Sequence, residues 1–66
     1  MTNNLKVLRA MANISQADLA DKISVSRQTI NAMELGKYVP STVLALKLAA
    51  FFKKEVGEIF QLDEND

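Results

Sequence analysis

A group of hydrogen-bonding side chains opens one short segment of the sequence. Its members are Arg27, Gln28, Thr29 and Asn31. Ile30 and Met33 have the spacing of one helix face, which predicts that this apolar side is buried and that the polar group is exposed. Guanidinium and carboxamide groups carry several donors and acceptors, so the group is a candidate site for recognising another molecule.

The composition argues against catalysis. The 66 residues include no cysteine and no histidine, which excludes thiolate nucleophiles, histidine acid–base catalysis and a tetrahedral zinc site. The sequence also contains no glycine-rich phosphate loop. We therefore expect a protein that is not an enzyme and that carries no metal and no cofactor.

The length of the chain predicts one domain, residues 1–66, with one small core. At this size folding removes only about 60% of the unfolded surface from water, so tight packing or oligomerisation must add stability. The longest apolar stretch, residues 43–52, is broken by Lys47 and is too short to span a bilayer. No signal peptide is visible, and we expect a cytoplasmic protein with no membrane partner.

Charge is distributed unevenly along the chain although its net value is zero. Residues 1–54 contain all eight basic residues and only three acidic ones, whereas residues 55–66 contain five acidic residues and no basic one. This asymmetry is compatible with a basic binding face and a separate acidic tail, residues 61–66. It is equally compatible with an ordinary solvated surface of mixed charge.

Apolar spacing and capping residues predict five helices and no strand, because no segment alternates with period two for long enough. In the first helix we expect Leu5, Leu8 and Met11 on the inward face. Asn3 or Asn4 can serve as the N-cap of this helix.

Serine residues mark the starts of the next three helices. Ser15 can cap a helix over residues 16–23, with Asp18 as the acidic partner of a capping box. Ser26 can cap residues 27–35, and Ser41 can cap residues 42–52.

The end of the chain predicts a short last helix over residues 56–60. We expect the tail after it to be frayed, although Gln61 and Leu62 could pair with the other terminus.

The second and third helices have the layout of a helix-turn-helix, about residues 15–35. Ala20 is small enough to let two crossing helices approach, and Val25 can plug the turn between them. Ile30 and Met33 provide the inward stripe that the second helix of the motif requires.

The run SQADLADKISVSRQTINAMELGKYVPS, residues 15–41, resembles the Cro/repressor-type helix-turn-helix family, also called XRE-like regulators. The resemblance covers about residues 4–60 and is similar in particular to short, single-domain bacterial or phage members. It implies an all-α fold, a compact five-helix lambda-repressor-like domain. It also implies a transcriptional regulator whose partner is double-stranded DNA.

The resemblance assigns roles to individual residues. The residues implied to read base edges in the major groove are Arg27, Gln28 and Asn31, with Thr29 beside them. Arginine suits guanine there, and glutamine or asparagine suits adenine. The residues implied to contact the DNA backbone are Gln16, Ser26, Lys37, Tyr38 and Ser41. Gln16 is also expected to brace Arg27, and the two serines are already explained as helix caps.

The resemblance also implies a partly buried, structural ion pair between Arg9 and Glu34. The sequence departs from the family at Ser24 and Lys53, where members tend to carry glycine. A residue with a Cβ adopts the positive φ that such a turn requires only at some cost.

The fourth helix is more apolar than a monomer can use. We expect a homodimer, with Val43, Phe51 and Leu62 as candidate interface residues. The resulting hypothesis is a repressor that binds an inverted-repeat operator. The alternative is an antitoxin or adaptor of the same fold that binds a small protein partner.

Overall fold

The computed structural model describes all 66 residues as five helices and a two-stranded sheet. The helices are α1 Leu5–Ala12, α2 Gln16–Lys22, α3 Arg27–Glu34, α4 Thr42–Phe52 and α5 Val56–Ile59. The prediction of five helices is confirmed, and the last four end within one residue of the predicted bounds. None of the helices is long and apolar enough to cross a membrane.

Two short strands join the ends of the chain, and the prediction of no strand was wrong. They are β1 Thr2–Asn3 and β2 Phe60–Gln61, antiparallel, with Thr2 opposite Gln61 and Asn3 opposite Phe60. Phe60, predicted as the last helical residue, is extended with φ −118° and ψ 132°. Strands of two residues are too short to produce a period-two pattern, and each depends on a partner from the other end of the chain.

The acidic tail is ordered against the first residue, so the prediction of a frayed tail was also wrong. The Met1 amino group lies 2.9 Å from an oxygen of Asp63 and 2.8 Å from an oxygen of Asp66. Gln61 pairs with the opposite terminus as expected, whereas Leu62 lies outside the strand and is 80% exposed.

The core consists of ten buried residues, all apolar, to which every helix contributes. Its largest fully buried side chains are Leu5, Leu19, Ile30, Met33, Leu48 and Ile59. Truncating one of these to alanine costs about 2–5 kcal/mol in a typical core. The two buried residues of α3 therefore hold that helix firmly against the rest of the molecule.

The inward face of α1 differs from the prediction at Met11, which is 76% exposed. A helix turns by about 100° per residue, so Leu8 lies about 60° from Leu5 and Met11 about 120° away. Arg9, only about 40° from Leu5 on the other side, occupies the inward arc instead. Leu8 is half-buried against the core.

Left-handed residues end the first four helices. They are Asn13, Ser24, Gly36 and Lys53, with φ of 56°, 61°, 74° and 56°. After α3, the Gly36 N–H donates to the Met33 carbonyl at 3.0 Å and the Lys37 N–H donates to the Ala32 carbonyl at 2.9 Å. This pair of bonds is a Schellman motif, which satisfies terminal carbonyls and reverses the chain sharply. The expected positive φ at Ser24 is confirmed.

Side-chain caps begin the same helices. The hydroxyls of Ser15, Ser26 and Ser41 accept from the N–H three residues later at 3.0, 3.1 and 3.1 Å. At α1 the Asn3 Oδ1 accepts from the Leu5 N–H at 3.1 Å, while the side chain of Asn4 makes no cap bond. These local bonds explain why the predicted helix starts agree with the structure.

Candidate nucleic-acid interface

The turn between α2 and α3 fixes the position of the exposed polar helix face. Ile23 is buried and Val25 is half-buried against the core. The Val25 N–H donates to the Ala20 carbonyl at 2.9 Å, which closes the end of α2. Ala20 and Ile30 are both buried, so α2 and α3 pack closely. The start of α3 is therefore held by a rigid corner of the molecule.

The polar face of α3 is open to solvent. Arg27, Gln28 and Asn31 are exposed, and their spacing of three and four residues places them side by side on the helix. The side chains of Arg27 and Gln28 make no hydrogen bond or ion pair within the molecule. Their donors and acceptors are therefore free for a partner.

Thr29 differs from these three residues because its hydroxyl is already engaged. The Thr29 Oγ1 lies 2.9 Å from the Ser26 Oγ, and the side chain is half-buried. The Ser26 Oγ also accepts from the Thr29 N–H at 3.1 Å. What Thr29 can offer to a partner is mainly its methyl group.

Beside this face lies an ion pair between α1 and α3. The Arg9 Nε donates to Glu34 Oε2 at 2.7 Å, and the Arg9 Nη2 donates to Glu34 Oε1 at 3.1 Å. The side chains are 16% and 5% exposed. The Arg9 Nη1 also donates to the Ile14 carbonyl at 3.0 Å, so the guanidinium ties the α1–α2 connection to the end of α3.

The electrostatic state of Glu34 follows from its partners. Burial alone raises the pKa of this carboxyl, but the hydrogen bonds from Arg9 and Gln16 outweigh it and leave the pKa below its usual value. The same hydrogen bond raises the pKa of Arg9. Both groups are therefore charged at neutral pH, and the negative charge of Glu34 is balanced by the positive charge of Arg9.

Gln16, the first residue of α2, connects this pair to the polar face. Its Nε2 donates to Asn31 Oδ1 at 3.2 Å and to Glu34 Oε1 at 3.1 Å. The structure shows no hydrogen bond between Gln16 and Arg27; the Gln16 Nε2 bonds α3, while its Oε1 has no partner, so the expectation that Gln16 braces Arg27 stays a prediction. Asn31 and Glu34 stand three residues apart on α3, and this spacing is the one sequence signal that could have suggested a shared partner.

The remaining candidate residues lie in the loop after α3 and at the start of α4. Lys37 is exposed and its side chain has no acidic partner, and Tyr38 is exposed as well. The hydroxyl of Ser41 accepts from the Leu44 N–H and keeps its own hydrogen free to donate. Gln16 and Ser26 lie at the starts of α2 and α3, and Lys37 follows the end of α3. Ser26 and Lys37 therefore flank the polar face along the axis of α3, and Gln16 lies beside it at Asn31.

Apolar residues are also exposed outside α3, on α4, in the loop before it and in the tail. Val43 is 64% exposed and Leu62 is 80% exposed, while Phe51 lies edge-on to Phe52 with its ring partly in solvent. An open groove of about 250 Å³ is lined mainly by apolar side chains, among them Val39 and Leu46. No group of three or more His, Cys, Asp or Glu side chains could hold a metal ion.

Comparisons with known proteins agree with this geometry. A family model described as helix-turn-helix matches residues 5–59. A Methanocaldococcus jannaschii protein is 50% identical over 66 residues, the whole of both chains, and a Bacillus subtilis protein is 42% identical over the whole of both. An Archaeoglobus fulgidus protein is 41% identical over all of this chain and 93% of its own length.

All three relatives are described as uncharacterized HTH-type transcriptional regulators. They come from archaea as well as bacteria, so the expected restriction to bacterial or phage members has no support from them. The match to the family model covers most of the chain, and all three relatives align over the whole of it. The chain therefore belongs to the XRE-type helix-turn-helix family of DNA-binding transcriptional regulators.

Proposed function

We propose that the protein is a sequence-specific repressor that binds an inverted-repeat operator as a homodimer, with α3 in the major groove. It would act in the cytoplasm, where the DNA of a bacterial or archaeal cell lies. The observation that carries this proposal is the exposed row on α3, where Arg27 and Gln28 have no partner within the molecule. The side chains of Arg27 and Gln28 can each make two hydrogen bonds to one base edge, and a rigid helix would hold them in position for such contacts.

The chemistry of each side chain supports a division of labour. Arg27 suits the O6 and N7 of guanine, and Gln28 suits the N6 and N7 of adenine, each pair contributing about 1–3 kcal/mol of discrimination. The methyl group of Thr29 suits a thymine methyl, since its hydroxyl is bonded to Ser26. Such contacts decide the sequence that is bound.

A second set of residues would contact phosphates and position the protein. The set comprises Gln16, Ser26, Lys37, Tyr38 and Ser41. Lys37 provides a charge without an internal partner, and Ser41 keeps a hydroxyl hydrogen to donate. Contacts of this kind orient a protein on DNA without selecting a sequence.

A homodimer is supported by the apolar surface on and beside α4. Val43, Leu46 and Leu62 are each more than half exposed, and Phe51 is partly exposed. Two copies would place two copies of α3 about one DNA turn apart, roughly 34 Å, which is the half-site spacing of an inverted repeat. The longest dimension of one chain is 31 Å, so side-by-side copies can meet that spacing. A dimer bound to promoter DNA in this way would block transcription, and it would need no further surface for contacting the transcription machinery.

The test is DNA binding by purified protein, measured by mobility shift at two salt concentrations on duplexes enriched from a randomised pool. Arg27→Ala and Gln28→Ala are expected to weaken specific binding by about 5- to 150-fold each, the equivalent of 1–3 kcal/mol. Their melting temperatures should match the wild type, because neither side chain makes an internal contact. Gln61→Ala is the matched control, since this glutamine lies in β2 and its side chain bonds only the Gly57 carbonyl.

Two outcomes would contradict the proposal. Variants of Arg27 and Gln28 that bind as tightly as the wild type would remove α3 as the reading element. A protein that enriches no duplex but co-purifies with a second protein would instead support the antitoxin or adaptor, docked on the exposed surface of α4.

Oligomeric state is tested separately by sedimentation. We expect the wild type to sediment as a dimer, and we expect Phe51→Ser or Val43→Ser to shift it toward the monomer. Met11→Ser is the control, because Met11 is an exposed apolar residue on a different helix, α1. A wild type that stays monomeric at the concentrations used for DNA binding would refute the dimer.

A further inference from the structure

We propose that Asn31 reads guanine and that Gln16 is the positioning residue that decides this. Gln16 holds the carbonyl oxygen of Asn31 and leaves its amino group to face the groove. The inference rests on the proposed function and deepens it, since it names the base read by one residue of α3. It also reverses the expectation, drawn from side-chain type alone, that an asparagine here pairs with adenine.

The first step concerns the direction of the bond between Gln16 and Glu34. Glu34 is ionised beside Arg9, and a carboxylate can only accept hydrogen bonds. The Gln16 atom that lies 3.1 Å from Glu34 Oε1 must therefore be the amide nitrogen. With the amide reversed, two acceptor oxygens would face each other without a hydrogen between them, at a partly buried site where such a clash is costly.

The second step concerns the bond between Gln16 and the exposed side chain of Asn31. The same Gln16 Nε2 lies 3.2 Å from the side chain of Asn31, and its second hydrogen requires an acceptor there. That acceptor is Asn31 Oδ1, so the carbonyl oxygen of Asn31 is held against α2. The Asn31 Nδ2 keeps both of its hydrogens, with no partner inside the molecule.

The number of hydrogens on the Gln16 amide also limits the contacts that its side chain can make with DNA. Both hydrogens of its amide are used by Asn31 and Glu34. Phosphate oxygens are acceptors, so the side chain of Gln16 has nothing to donate to them in this arrangement. A phosphate contact by this residue would have to use its main-chain N–H. We therefore assign its side chain to positioning.

The third step matches Asn31 to a base. In the major groove guanine presents two acceptors, O6 and N7, whereas adenine presents an acceptor at N7 beside a donor at N6. An asparagine pairs with both groups of adenine only by using its own oxygen as an acceptor. Asn31 Oδ1 keeps a second lone pair, but the bond from Gln16 directs this oxygen toward α2. The free amino group of Asn31 needs no such acceptor role, so it fits the two acceptors of the guanine edge, as the single nitrogen of lysine does.

The experiment is selection from a randomised duplex pool, followed by sequencing, for the wild type and the variants Asn31→Ala, Gln16→Met and Gln61→Met. Asn31→Ala identifies the position that Asn31 reads, because only that position loses its preference. We expect guanine there in the wild type. We expect Gln16→Met to shift the ratio of guanine to adenine at that position by at least about 5-fold, the lower limit for one good pair.

Gln61→Met and thermal melts serve as controls. Gln61 lies in β2, outside the helix-turn-helix, and its side chain donates to the Gly57 carbonyl, so its variant should select the same duplexes as the wild type. A merely structural role of Gln16 would lower the melting temperature and weaken all sequences alike. A positioning role changes the preference at one position.

A second measurement uses the wild type alone and does not depend on a variant that folds. In nuclear magnetic resonance spectra of the free protein, the side-chain amide signals of Gln16 and Asn31 should both move as Glu34 is protonated at acid pH. Gln28, which has no bond to this network, should keep its amide signals.

Each outcome bears on a different claim. Adenine at the position that depends on Asn31 would overturn the inference and leave the proposed function intact. An unchanged guanine preference in folded Gln16→Met would overturn the role of Gln16, as would side-chain signals of Asn31 that ignore the titration of Glu34. A wild type that enriches no duplex would overturn the proposed function itself.

Discussion

Replacing Glu34 with alanine removes the acceptor of three hydrogen bonds, two from Arg9 and one from Gln16. It leaves the guanidinium of Arg9, whose side chain is only 16% exposed, without a carboxylate. Breaking a fully buried pair costs about 3–5 kcal/mol. Arg9 keeps its bond to the Ile14 carbonyl and some contact with water, so we expect a smaller loss than for a fully buried pair, about 2–3 kcal/mol.

This loss is large for the molecule. At about 0.05–0.15 kcal/mol per residue, a chain of this length has a free energy of unfolding of roughly 3–10 kcal/mol. The melting temperature of so small a protein falls by about 4–8 °C for each kcal/mol. We therefore expect Glu34→Ala to lower it by about 10–20 °C in circular dichroism melts at neutral pH.

Two variants make the assay specific. Asp21→Ala removes an exposed acid of α2 that makes no side-chain bond, and it should stay within about 0.5 kcal/mol of the wild type. The double variant Arg9→Met/Glu34→Leu removes both charges and should recover most of the loss, because no unpaired charge remains. A single variant that melts within 2 °C of the wild type, or a double variant worse than the single one, would refute this account of the pair.

The pH dependence provides an independent check with a definite sign. The pKa of Glu34 is lower in the folded protein, so its contribution to stability is complete above the unfolded pKa, about 4.3. That contribution is lost as the pH falls through the folded pKa. The hydrogen bonds to the Met1 amino group also lower the pKa of Asp63 and Asp66. The contribution of these two groups to the stability of the protein is therefore lost over the same acidic range. The melting temperature of Glu34→Ala should therefore fall less steeply below about pH 4 than that of the wild type.

Three further substitutions test the turns and the contacts with the DNA backbone. Ser24→Gly should raise the free energy of unfolding by about 0.5–1 kcal/mol in urea titrations, since glycine adopts the φ of 61° without a Cβ penalty. Gly36→Ala should lower it by about 1 kcal/mol at φ 74°, and equal signs for the two variants would contradict the argument. Lys37→Ala should weaken binding alike for all duplexes and reduce the slope of log K against log salt by about one. A change in the selected sequence would show that Lys37 reads bases instead.

Local interactions explain the part of the fold that could be predicted from the sequence. Each serine cap acts on an N–H three residues away, and helix faces depend on residues three and four apart. Such contacts lie within one segment, so the positions of the helices and the polar face of α3 can be predicted from the sequence. The left-handed turn at Ser24 was predicted in a different way, from the resemblance to a family whose members tend to carry glycine at that position.

The tail and the strands could not be predicted in this way. Thr2 meets Gln61 only after the five helices have brought the two ends of the chain together. Neither terminal segment contains enough apolar alternation to identify a strand. On α1, Arg9 rather than Met11 is partly buried on the side of Leu5, where its guanidinium bonds the carboxylate of Glu34 on α3. This contact between two helices could not be predicted from α1 alone.

The same division applies to the candidate site. Residue types and helix spacing were enough to identify Arg27, Gln28 and Asn31 as one exposed row, since that depends on α3 alone. The state of Asn31 depends on three helices, because Arg9 of α1 keeps Glu34 ionised and Glu34 orients Gln16 of α2. The direction of a hydrogen bond is decided by which groups meet in space, and only the packing of α1, α2 and α3 brings these four side chains together.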